Sequence, residues 1–141
     1  MKYLRSAALI ALVIVMTFSF EGCKKENESN DNYYVRYEVY TDSGSHYGQT
    51  LQLAVNTDFG VKNYETKITH TGVSTIYNEQ FGPVGYGFNT GVKVTSDPGS
   101  YSWNWFDVSV KIYVSKNTEP FVLKAEVSGT NECEASYVID F

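Results

Sequence analysis

Cysteine is nearly absent from this chain. Cys23 and Cys133 are the two it has, too few for a disulfide framework or a cysteine-rich zinc site. Histidine is as scarce. His46 and His70 fall in none of the close ligand spacings that hold a metal, such as HxH or HExxH. Basic residues are outnumbered, 11 Lys+Arg against 16 Asp+Glu, which excludes the basic patches that nucleic acid requires. There is no phosphate-cradling GxxxxGK[ST] run, and no elbow glycines flank Ser109, Ser115 or Ser136. The carboxylates are scattered. Asp107 beside Lys111 is a weak surface pair at most, and neither Asp42 nor Asp97-Pro98-Gly99 has the alternating oxygen ligands of a calcium loop. No catalytic residue, metal ligand or cofactor site is expected, so the chain reads as a non-enzyme. Long apolar runs are also lacking. Ser6 to Phe20 is the one such run, shorter than the ~20 residues that a spanning helix needs.

What is present begins with that run. Lys2 and Arg5 precede it, Glu21-Gly22-Cys23 follows, and the composition then turns polar from Lys24 to Asn32. A charged n-region, a short h-region and a small residue before a cysteine together resemble a bacterial lipoprotein lipobox. Phe20 and Glu21 stand where many lipoboxes carry leucine and a small residue, a looser box of the kind Bacteroidota lipoproteins tolerate. The resemblance implies cleavage of residues 1–22 as a signal helix and acylation of Cys23 by fatty acids of the palmitate type. It also implies an outer-membrane lipid anchor, facing the periplasm or the cell surface. Residues 23–32 then form a lipidated, disordered tether, because no apolar side chain in 24–32 can bury. Residues 33–141 are left as one domain, near the ~100 residues of a single sandwich. From Cys23 onward the net charge is −6. With Cys23 committed to lipid, Cys133 has no intramolecular partner. It lies in the alternation Cys133, Ala135, Tyr137, Ile139, Phe141 and reads as a buried, apolar-packed thiol.

Past the tether the hydrophobic period is two. Val35, Tyr37 and Val39 alternate with Arg36 and Glu38; Leu51, Leu53 and Val55 with Gln52 and Ala54; Thr66 and Ile68 with Lys67 and Thr69. The clearest strand is Phe106 to Val114, and Phe121 to Val127 and Cys133 to Phe141 complete the set. Val110, Ile112, Leu123 and Ile139 fall on the inward parity of their strands and are expected in the core. Phe81 to Gly91, rich in glycine, reads as an irregular strand. Turn formers at Asp42-Ser43-Gly44-Ser45, Asp58-Phe59-Gly60, Asp97-Pro98-Gly99, Lys116-Asn117-Thr118 and Ser128-Gly129-Thr130-Asn131 separate the runs. The fold class is therefore all-β, a single antiparallel sandwich of seven or eight strands. Tyr34-Val35-Arg36-Tyr37-Glu38-Val39, the run Val108-Ser109-Val110-Lys111-Ile112-Tyr113-Val114, then Phe121-Val122-Leu123-Lys124-Ala125 and Ala135-Ser136-Tyr137 resemble small lipoproteins with an MmpS-like, immunoglobulin-type sandwich. That family's association with lipid-exporting transporters has no marker residue here.

Aromatics are the remaining signal. Eleven of the twelve tyrosines and both tryptophans lie after Cys23. Tyr37 and Tyr137 read as inward. Tyr101, Trp103 and Trp105 are spaced by two, on the parity opposite to Phe106, Val108 and Val110. In a strand extended backward from Phe106 they would line an exposed face beside Asp107, a ligand or partner surface suited to stacking on a sugar or docking an envelope protein. A loop folding back from Pro98-Gly99 would instead bury one or both tryptophans. The expected function is a non-enzymatic, lipid-anchored envelope binding module whose partners are the membrane, through Cys23, and a glycan or envelope protein. The alternatives are an accessory subunit of an envelope transporter and an enzyme with an unrecognised site.

Overall fold

The computed structural model describes residues 30–43, 48–96 and 106–140. Eight strands account for most of them: β1 (Tyr33–Asp42), β2 (Thr50–Thr57), β3 (Gly60–Lys67), β4 (Val73–Val84), β5 (Asn89–Ser96), β6 (Asp107–Lys116), β7 (Val122–Thr130) and β8 (Glu132–Val138). They form two antiparallel sheets, ordered β4-β1-β6-β7 and β3-β2-β5-β8, so the all-β sandwich read from the periodicity is the fold. No helix occurs among the described residues.

The alternation places the core between the sheets. Val35, Tyr37 and Val39 of β1, Val108, Val110, Ile112 and Val114 of β6, and Leu51, Leu53 and Val55 of β2 are buried. Val92, Val94, Cys133 and Ala135 answer them from β5 and β8. Ile68 and Ile139, just outside strands, close the two ends. Each β-branched side chain fits a pleated, half-buried surface, and each burial removes apolar area from water.

Tyr37 ties the sheets together through its hydroxyl. The β2–β5 ladder runs from Leu51↔Ser96 to Val55↔Val92. At the next rung the Tyr37 hydroxyl intervenes. It donates to the Asn56 carbonyl at 2.8 Å and accepts from the Gly91 N–H at 2.9 Å. One side chain of the first sheet thus supplies the pairing that two strands of the second would otherwise make. Burial holds the Tyr37 phenol above its usual pKa, only partly offset by the Gly91 bond.

Two expectations are corrected. Leu123 is not core but 43 % exposed. The β6–β7 register passes from Ile112↔Ala125 to Tyr113↔Leu123, so Lys124 is an extra, bulged residue. The bulge inverts parity towards the start of β7 and turns Leu123 to the outer face. Second, Phe81 to Gly91 is not one strand. It is the end of β4, a turn over residues 85–88 and the start of β5. Gly82 has φ +130, and a Cβ there would stand 2.7 Å from the Tyr33 carbonyl oxygen, so this close approach needs glycine.

Candidate functional site

The outward parity of the β4-β1-β6-β7 sheet carries the most organised polar surface among the described residues. Antiparallel pairing sets Arg36 opposite Tyr113, Glu38 opposite Lys111, Tyr40 opposite Ser109 and Asp42 opposite Asp107. β7 adds Glu126 opposite Lys111. The side chains interlock. The Arg36 guanidinium lies 4.6 Å from the Tyr113 ring centre and 4.8 Å from that of Phe121, so two π-faces attract one cation. Its Nε is an ion-pair partner of Glu38 Oε1 at 3.3 Å, yet is buried without a hydrogen bond. Glu38 accepts a 2.6 Å hydrogen bond from the Tyr40 hydroxyl. Lys111 pairs with Glu126 at 3.3 Å and sits 5.6 Å from the Tyr40 ring centre.

The electrostatics follow from these contacts. The hydrogen bond to Glu38 is the main reason that the Tyr40 phenol is pushed up to about 12, with desolvation and the carboxylate charge adding to it. Desolvation, then the charge of Glu38, raises Tyr113. The bond to Glu126 raises Lys111. Every one of these groups keeps its proton at neutral pH.

Beside this lattice is a cleft of about 460 Å³, within the size range of small-ligand sites. Tyr40, Val73 and Val108 give it apolar wall; Asp42, Asp107, Ser109, Lys111, Glu126 and Ser128 give it donors and acceptors. Asp42 and Asp107 face each other directly across β1 and β6, an arrangement that costs stability. Asp107 accepts from Thr130 at 3.1 Å, and among the described residues no cation lies within ion-pair distance of either carboxylate. A smaller cleft of about 220 Å³, lined by Tyr34, Gln80, Ser115 and Phe121 among others, lies at the opposite end of the same face.

Of the residues singled out in the sequence, Cys23, Tyr101, Trp103 and Trp105 lie outside the described residues, as does His46. The segment bearing the three rings joins the fold at Phe106, which is buried and held by Asn131 through both its N–H and its carbonyl. Asp107 is the next residue, so that segment meets the fold at the rim of the larger cleft. His70 is exposed and bonded to Thr69 at 2.7 Å. No group of three or more His, Cys, Asp or Glu side chains among the described residues is placed to hold a metal ion. Cys133 is buried as expected. Its thiol donates to the Val127 carbonyl at 3.2 Å, and burial pushes its pKa up, away from the reactive thiolate. The lattice around Arg36 was missed in the sequence. Its partners come from three strand regions, and the only local sign is that β1 carries Tyr34 and Tyr40 on its polar parity.

No protein-family model, curated protein or solved structure matches this chain.

Proposed function

We propose that this chain is a non-enzymatic binding module of the cell envelope. It is anchored to the outer membrane by an acylated Cys23, akin to small MmpS-like lipoproteins, and recognises a glycan on the outer face of the β4-β1-β6-β7 sheet. The observation that carries the reading is the larger cleft. A tyrosine ring, two facing carboxylates and serine hydroxyls line it together, beside a lattice that holds the ring in place. Sugars present apolar ring faces that stack on aromatics, and hydroxyl donors that carboxylates accept. A polyol can donate hydroxyl hydrogen bonds to both Asp42 and Asp107.

The test uses the mature protein on an array of envelope and host polysaccharides, followed by calorimetry. Tyr40→Ala and Asp107→Asn should each weaken binding about tenfold or more, with thermal stability nearly retained. Trp103→Ala and Trp105→Ala report whether the aromatic run that precedes Phe106 adds to the same site. Wild type binding no glycan, or every variant binding equally, refutes the glycan reading; a captured envelope protein released by the same substitutions would replace it. Intact mass of membrane-purified protein, compared with Cys23→Ala, tests the anchor separately.

A further inference from the structure

The strand registers sort the connections into two ends. At one end lie the β2–β3 turn, the β4–β5 turn and the β6–β7 turn, together with the start of β1 and the end of β8. Asp42, Val73, Asp107 and the larger cleft belong to the other end.

The exposed apolar side chains are not shared evenly between these ends. Phe59 (83 % exposed), Val61 (64 %), Tyr86 (62 %), Val138 (52 %) and Val122 (49 %) all fall at the first end, on separate turns and strand tips. Val73 is the one large apolar side chain so exposed at the other end among the described residues. The exposed apolar tips are thus concentrated on one pole of the sandwich, with Val73 alone at the other among the described residues.

The chain preceding β1 leaves from the same pole, and its exit point is pinned. Lys116 holds Asp31 at 2.9 Å and the Asn117 side chain donates to it at 3.0 Å. Asn32 exchanges bonds with Asn117, accepting from its N–H at 2.7 Å and donating to its side-chain oxygen at 3.0 Å. Asn117 adopts φ +55, a conformation that asparagine tolerates well. Asp31 and Asn32, read above as tether, are thus docked on the domain. Residues 24–30 join Asp31 to Cys23, and that length of chain can span at most about 28 Å. β1 itself is about 33 Å long. If Cys23 is anchored, that span is shorter than β1, so the pole where β1 begins lies nearer the anchor than the cleft does.

We infer that this pole, tipped by Phe59, Val61 and Tyr86, rests in the interfacial layer of the bilayer that holds Cys23. The inference rests on the anchored reading above. The partner fits the shape of the surface. Isolated tips suit a deformable layer, whereas a second copy of the chain would ask for a continuous complementary face. Phenylalanine and tyrosine rings are favoured at membrane–water interfaces. Lys62, 5.6 Å from the Phe59 ring centre, can run its stem along the ring and keep its ammonium in water. Lys62 and Lys116 are outnumbered there by Asp31, Asp58, Glu119 and Asp140, so the attachment is apolar and should ignore salt. The larger cleft is then held away from the membrane, open to ligand.

The experiment reconstitutes acylated mature protein, checked by intact mass, into phosphatidylcholine vesicles containing nitroxide-headgroup lipid. One fluorophore is attached at Asp58→Cys and, in a second preparation, at Val73→Cys; buried Cys133 stays unlabelled. The label at position 58 should be quenched about threefold more than that at 73, equally at low and high salt. Phe59→Ser with Tyr86→Ser should remove at least about half of that difference without moving the Tm, since both side chains are exposed. Equal quenching at the two positions overturns the inference while leaving the anchor intact. So does quenching that the double variant leaves unchanged, which would mean the link through residues 24–30 alone sets the position. Quenching that tracks protein density rather than lipid label would assign the pole to a second copy. Absence of acyl mass overturns this inference and the anchored reading together.

Discussion

Replacing Tyr37 by phenylalanine removes one oxygen atom and should cost more than most surface truncations. The ring stays in its slot, packed against Phe81 at a centroid distance of 5.3 Å, so no cavity opens. What is lost is the bridge between the Asn56 carbonyl and the Gly91 N–H. Both groups sit where the β2–β5 ladder has just ended, and relaxation to a direct rung requires β2 and β5 to close over the space that the hydroxyl filled. A backbone group left without its hydrogen bond away from water costs about 1–3 kcal/mol, so Tyr37→Phe should destabilise by about 2–4 kcal/mol. At ~4–8 °C per kcal/mol, the melting temperature should fall by at least roughly 8 °C. Calorimetry and urea melts of the two proteins measure this directly. Tyr40→Phe is the internal control. Its hydroxyl meets only Glu38 on the wet face, and its removal should stay within about 0.5 kcal/mol. A Tyr37→Phe loss no larger than that of Tyr40→Phe would show that the strands re-pair on their own, refuting the wedge argument.

Three more outcomes follow from the same geometry. Ile112→Ala, fully buried at the centre of β6, should cost about 2–5 kcal/mol, whereas Leu123→Ala should cost less than about 1 kcal/mol in the same denaturant melts. Reversal of that order would contradict the Lys124 bulge. Gly82→Ala should destabilise by about 1–3 kcal/mol, because its φ of +130 and the nearby Tyr33 carbonyl leave no room for a Cβ; unchanged stability would place the backbone differently. In base, Tyr37, Tyr77 and Tyr40 all hold their protons more tightly folded than unfolded. The unfolded chain therefore releases protons first, and the stability that is fully present below about pH 10 should be lost as pH rises past it. Ultraviolet phenolate titration alongside circular dichroism tests this, and all tyrosines of the folded protein titrating with a midpoint near pH 10 would rule it out.

Much of the architecture is visible in the residues themselves. Val108, Val110, Ile112 and Val114 alternate so regularly that β6 is readable by eye, and Leu51, Leu53 and Val55 do the same for β2. These strands pack one face against the other sheet, so their pattern is a direct record of burial. β4 was only partly legible. Most of Ser74-Thr75-Ile76-Tyr77-Asn78-Glu79-Gln80 is polar, because an edge strand with register shifts buries little. The exposed Leu123 escaped for a different reason. A bulge is a property of pairing between β6 and β7, and no local pattern in Phe121 to Val127 encodes which partner faces which. The Arg36 lattice is likewise non-local, since Tyr113 and Phe121 reach it only through strand register. The sequence-expected Tyr101, Trp103 and Trp105 surface lies outside the described residues, and what the fold supplies is its point of attachment beside Asp107.

The place at which the chain enters β1 has a mechanical consequence. β1 is not an edge strand; it lies between β4 and β6 and is hydrogen-bonded on both sides along its length. Antiparallel bonds stand perpendicular to the strand, so a pull on the residues before Asp31 runs along β1 and loads its rungs in shear, many at once, rather than peeling them singly. The ties of Asp31 and Asn32 to Lys116 and Asn117 must yield before that load reaches β1 at all. A pull on β3 or β7 would load one ladder rather than two, since among the described residues each is paired on one side only.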